Sequence, residues 1–219
     1  MALPRSWRLA FVLLASSALA SRARAQQAQQ APQTLVLKAA RLFDGKGERA
    51  VSPGLVVVQN GRIAAVGPGA ALPAAAEVID LGDATLLPGF LDGHVHLTSE
   101  ASGDWHKDTV LTALRIAPEQ AHDARVYALR TLEAGFTTAR DLGATEFLSL
   151  GLRNAIDKGL IAGPRLQIAL NAIGSRGGHA DLDPFVPGAL AEATVREGIC
   201  SGADECRAAV RWQVKYGAD

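Results

Sequence analysis

Between Thr34 and about Asp80 the chain alternates short apolar or β-branched runs with turn residues: "TLVLKAARLFDG", "GLVVVQNGRIAAVG" and "EVIDLG". Runs of this length, bounded by Gly, Asn and Asp, predict strands. Asn60-Gly61 falls between Val56-Val57-Val58 and Ile63-Ala64-Ala65-Val66. That pair predicts a two-residue hairpin, because a type I′ turn needs positive φ at both central positions. Residues 34–87 are therefore expected to form a small β-domain.

After Pro88 the rhythm lengthens. "LLPGFLDGHVHL" predicts a buried strand, and Pro118 opens a helix in which Ala121, Ala124, Ala128, Leu129 and Leu132 recur at helical spacing up to Gly135. "FTTARDLG" predicts the next strand, and "EFLSLGLRNAIDKG" the next helix, with Leu148, Leu152, Ala155 and Ile156 on one face. "PRLQIALNAIG" predicts a third strand. Ser201 to Asp204 then predict a helix start, with Cys206, Val210 and Val214 facing inward and Gly217 at the stop. Three such βα units imply a parallel sheet with right-handed crossovers, either doubly wound or part of a (β/α)8 barrel.

Two of the five histidines lie one residue apart at the end of the first of these strands. With a side-chain period of two, His94 and His96 point to one face while Val95 and Leu97 point to the other. That is the geometry of a metal-binding pair, and neutral imidazoles suit Zn²⁺. Asp92 shares their face, where it can orient an imidazole or close the turn.

The N-terminus reads as an address. Arg5 and Arg8 precede "LAFVLLASSALA", an apolar run of about a dozen residues, too short to span a bilayer and followed by small-residue cleavage sites. Residues 1–25 are expected to be an export signal cleaved after Ala25, with an uncleaved anchor as the disfavoured alternative. The Gln- and Ala-rich residues 26–33 are expected to be a flexible leader. Export to the periplasm or beyond gives Cys200 and Cys206 a compartment where a disulfide persists. Their spacing fits a short-loop bridge, and the helical stripe through Cys206 fits a buried thiol.

Composition narrows the partners. The 219 residues carry 22 basic and 22 acidic side chains, so nothing marks a nucleic-acid surface. No membrane partner is expected once the signal is removed, and oligomeric state is left open, a homo-oligomer included.

"PGFLDGHVHL", preceded by "RLFDGKG" and "NGRIAAVG", resembles the metal-dependent amidohydrolase superfamily; "EAGFTTARDLG" and "VRWQVKYGAD" resemble its imidazolonepropionase-like and Xaa-Pro dipeptidase-like branch. The resemblance runs from Thr34 to Asp219. It implies the first part of a (β/α)8 TIM-type barrel, about three βα units over residues 88–219, behind a small β-sandwich-like domain.

It also implies that His94 and His96 bind a divalent metal, zinc, in a site of one or two ions. The implied reaction is hydrolysis of an amide or peptide-like C–N bond by metal-activated water on a small-molecule or dipeptide-like substrate. His179 in "SRGGHAD" is implied as a substrate contact, with a mobile surface histidine as the alternative; His106 in the loop "SGDWHKD" is placed to line the pocket. Arg140 and Asp141 resemble the family's Thr-x-Arg-Asp and are expected to form a salt bridge supporting the barrel mouth, with contact to substrate as the alternative.

The family's general base and further metal ligands would lie beyond Asp219, so no catalytic residue is expected within this chain. The chain is thus expected to be an inactive piece of an exported hydrolase. The other reading is a truncated, non-catalytic homologue acting as a binding or interaction protein.

Overall fold

The computed structural model describes residues 34–181 and 192–219, so the expected signal and leader at residues 1–33 lie outside the described residues. The chain divides into two compact units, one ending at Pro88 and one beginning at Gly89.

The first unit holds β1 (Thr34–Ala39), β2 (Arg41–Leu42), β3 (Gly54–Gln59), β4 (Arg62–Val66), β5 (Glu77–Asp80) and β6 (Thr85–Leu86). A four-stranded sheet runs β4-β3-β1-β5, with β2 and β6 as a separate pair. β1 is antiparallel to β3 and parallel to β5. Its core is Val36, Leu55 and Val57, the apolar positions that strand alternation sends inward. The hairpin forms as predicted, with φ of 52° at Asn60 and 73° at Gly61. Gly54 permits a close approach: a Cβ there would sit 2.3 Å from the Arg41 carbonyl oxygen.

The second unit is built on three parallel strands in chain order, β7 (Phe90–Val95), β8 (Phe136–Asp141) and β9 (Arg165–Ile168). Between them run α1 (Trp105–Ala113), α2 (Ala117–Glu133) and α3 (Leu148–Asp157). The core is Leu97, Ala124, Ala128, Ala139, Leu152, Leu166, Ile168 and Leu170, with Val95 and Ile156 packed against it. Ala124 and Ala128 carry small side chains where α2 meets the core, while Leu129, on the expected stripe, is exposed. The residue pattern predicts no helix at α1. Asp104 starts it by accepting from the Lys107 N–H at 3.1 Å, a side-chain cap where a loop was expected.

After β9 the chain forms a second small parallel pair, β10 (Gly174–Ser175) with β11 (Ile199–Cys200), and ends in α4 (Gly202–Lys215). Cys200 and Cys206 are joined in a disulfide, which resolves the two readings of that pair. The inward face of α4 differs from expectation: Ala209 and Gln213 are buried, whereas Val210 and Val214 are 48% and 61% exposed. One position along a helix is a rotation of about 100°. Two contacts fix this rotation, the disulfide at Cys206 and the Gln213 amide, whose Oε1 accepts from the Asn171 N–H and whose Nε2 donates to the Arg196 carbonyl.

Candidate metal centre

β7 pairs with β8 through Asp92↔Ala139 and Val95↔Asp141, and the register shifts between those pairs, where Gly93 and His94 fall. An irregularity of this kind re-aims the side chain it carries. Arg140 holds it from the neighbouring strand, its Nε donating to the Gly93 carbonyl at 2.9 Å. His94 is exposed while Val95 packs on the core.

His96 follows directly, and its ring stands edge-on to that of His94 with centroids 5.5 Å apart. Its Nδ1 lies 3.0 Å from the Gly143 carbonyl oxygen. A carbonyl only accepts, so Nδ1 is the protonated nitrogen, and in the neutral ring the lone pair is on Nε2. Leu97, buried in the core, anchors the backbone behind this ring.

Asp141 is fully buried. Its Oδ2 accepts from the Leu97 N–H at 2.8 Å and its Oδ1 from the Gly143 N–H at 3.1 Å. Burial pushes its carboxyl above the ordinary carboxylate range, opposed in part by those two N–H groups and by nearby His96. The expected Arg140–Asp141 salt bridge does not form. Adjacent strand residues face opposite sides of the sheet, so Arg140 reaches Gly93 while Asp141 turns inward.

Asp92 does what a turn-closing residue does: its Oδ1 accepts from the His94 backbone N–H at 3.0 Å. The acceptor on an imidazole N–H is instead the Gly143 carbonyl, a backbone atom that no residue-type signal marks. His106 sits exposed in the first turn of α1 rather than in a loop. A cleft of about 230 Å³ lies beside it, lined by Thr98, Glu100, Lys107, Asp108, Arg115 and Tyr127 among others, and His106 is not among its walls. His179 is exposed at a turn pinned by the Asp181 carboxylate, which accepts from the Gly177 N–H at 2.7 Å. Among the described residues no third His, Cys, Asp or Glu joins His94 and His96 in one metal-binding cluster.

The fit to a metal is therefore partial and specific. Two exposed imidazoles stand together at the C-terminal end of a parallel strand, one with its tautomer set by a backbone carbonyl, which is how ligating histidines are commonly held.

A family model described as "Amidohydrolase family" matches residues 85–219, and one described as "Imidazolonepropionase-like composite domain, bacteria" matches residues 56–76. The chain belongs to the amidohydrolase family. Among curated amidohydrolase relatives, an allantoinase of Streptomyces avermitilis is 43% identical over 72 residues, covering 32% of this chain and 16% of the relative. An imidazolonepropionase of Arthrobacter sp. is 40% identical over 65 residues, covering 29% and 16%.

Among solved structures, a Xaa-Pro dipeptidase with bound methionine superposes with a TM-score of 0.70 at 32% identity, over 85% of this chain and 46% of that one. A prolidase complexed with N-methylphosphonate-L-proline gives 0.69 at 27%, over 85% and 45%. This amidohydrolase chain thus spans less than half the length of those neighbours. The open alternative in the sheet is resolved by them: β7, β8 and β9 are the first part of a (β/α)8 barrel, not of a doubly wound sheet.

Proposed function

We propose that this chain is the N-terminal part of an exported, metal-dependent hydrolase of C–N bonds in small, peptide-like substrates. The observation that carries the proposal is the His94–His96 pair at the end of β7, where active sites of such barrels are built. Its metal would be divalent, zinc by ligand chemistry, in a site of one or two ions. The peptide-like substrate class draws on the neighbours described as a Xaa-Pro dipeptidase and a prolidase.

The chemistry a metal supplies when bound here is Lewis acidity toward a carbonyl oxygen and activation of water near neutral pH. The chain's own residues prepare for it. His94 is presented by the irregularity that Arg140 braces. His96 keeps its proton on Nδ1 against Gly143 and offers Nε2. Leu97 and Val95 root the strand end in the core, so the two rings are held by buried backbone rather than by a surface loop.

Two imidazoles are fewer than the three protein ligands usual at a catalytic zinc. The proposal therefore draws the remaining ligands and the general base from sequence outside these 219 residues, and the 219-residue chain alone is expected not to turn over. His179, at the turn after β10, and His106, in the first turn of α1, stay as candidate substrate contacts.

The test is a Zn²⁺ titration of the chain against a chromophoric chelator. His94→Ala and His96→Ala should each weaken binding at least tenfold. Wild-type affinity in both variants would overturn the proposal. Export is tested separately, by mass spectrometry of the secreted chain for an N-terminus at Gln26.

A further inference from the structure

We infer that Asp141 is the positioning residue of His96: through two backbone amides it fixes the carbonyl that sets the tautomer and aim of that ring. The inference rests on the proposal above for the metal, and on hydrogen bonds alone for the positioning.

Four groups form one closed circuit. The His96 Nδ1–H donates to the Gly143 carbonyl at 3.0 Å; the Gly143 N–H donates to Asp141 Oδ1 at 3.1 Å; the Leu97 N–H donates to Asp141 Oδ2 at 2.8 Å; and Leu97 is bonded to His96. The carboxylate has no solvent exposure, so it does not exchange these partners for water. β8 carries it in register with β9, since the Asp141 carbonyl accepts from the Ala169 N–H at 2.9 Å. The aim of an imidazole at the end of β7 is thus set by a side chain at the end of the neighbouring, central strand.

Both carboxylate oxygens are used, each on a different segment: one on the backbone that carries His96, the other on the loop whose carbonyl holds its ring. A side chain with one acceptor satisfies only one of them. Asp141→Asn keeps the shape and turns an NH₂ toward the other N–H, so either the Leu97 or the Gly143 segment loses its tether.

The experiment reads the ring directly, without metal. Long-range ¹H–¹⁵N NMR of the metal-free chain should show His96 as the Nδ1–H form, and Asp141→Asn should convert it to a mixture while His94 keeps its wild-type pattern. Zn²⁺ affinity measured on the same samples should fall by about 10- to 100-fold, the range for lost outer partners of metal ligands. A folded Asp141→Asn chain with an unchanged His96 ring and unchanged affinity would overturn the inference and leave Asp141 as core structure only.

If wild type takes up no Zn²⁺ while the His96 ring still responds to Asp141→Asn, the metal proposal falls and the positioning stands. If the variant does not fold, wild type carries the test through scalar couplings across the hydrogen bonds from the Leu97 and Gly143 amides to the Asp141 carboxyl carbon. Their presence together with an Nδ1–H His96 supports the inference, and the absence of either overturns it.

Discussion

The Gly143 carbonyl oxygen sits 3.0 Å from Nδ1 of His96, a residue 47 positions earlier in the chain. The contact asks nothing of a side chain at position 143, but it leaves little room for one. A Cβ there would lie 3.4 Å from Cε1 of His96 and from the Ala172 Cβ, at the inner edge of ordinary contact. Gly143→Ala is therefore expected to keep Zn²⁺ affinity within about threefold and stability within about 1 kcal/mol. Gly143→Val adds branches into the ring and should weaken Zn²⁺ binding at least tenfold. A chelator-competition titration beside thermal melts separates the two.

The loop after β7 is held by Asp108, whose Oδ1 accepts from the Ser102 Oγ–H at 2.6 Å and whose Oδ2 accepts from the Ser102 N–H at 2.8 Å. The Ser102 hydroxyl, then its N–H, holds the carboxyl below its ordinary value of 3.8. A depressed folded pKa contributes stability that is present above the unfolded value and lost as pH falls through the folded one. Carboxyl ¹³C NMR should show Asp108 titrating below that ordinary value, and Ser102→Ala should move it upward. An unshifted midpoint in the variant would remove the hydroxyl as the cause.

Cys206 ties the start of α4 to buried Cys200 across six positions of sequence. Closing a loop of about seven residues removes roughly 2 kcal/mol of chain entropy from the unfolded state in the simplest model. Cys206→Ser, at the half-exposed end of the bridge, is expected to destabilise the second unit by about that amount. Thiol titration of the unreduced chain should find no free thiol at either position. A Cys206→Ser melt coincident with wild type would show that the bridge constrains nothing.

Much of this architecture is written in residue patterns. The Asn60-Gly61 turn follows from the backbone angles those residues tolerate, and the spacing of His94 and His96 marks them as neighbours at a strand end, although a register irregularity at Gly93 and His94 interrupts the plain strand period there. What was not legible depends on partners distant in sequence. Gly143 acts through a carbonyl that any residue possesses, and Asp141 through two backbone N–H groups. Asp141 next to Arg140 reads locally as an ion pair, whereas the alternation of β8 sends the two to opposite faces. The capping Asp104 is a readable signal for the start of α1, in the segment read as a loop around His106.

The rotation of α4 gives the sharpest contrast between pattern and structure. The stripe Cys206, Val210, Val214 is the more apolar, yet Ala209 and Gln213 are the residues turned inward. Gln213 is 3% exposed, and its amide accepts from the Asn171 N–H at 3.2 Å and donates to the Arg196 carbonyl at 3.3 Å. Replacing it with Leu keeps the volume but strands a backbone donor and acceptor, at a cost of about 1–3 kcal/mol. Val214→Ser, on the 61% exposed position, should change stability by less than about 0.5 kcal/mol. Urea unfolding of both variants decides between the two faces. If Val214→Ser is the more damaging, the helix is turned as its apolar stripe alone would have it, and the Gln213 contacts are not what hold it.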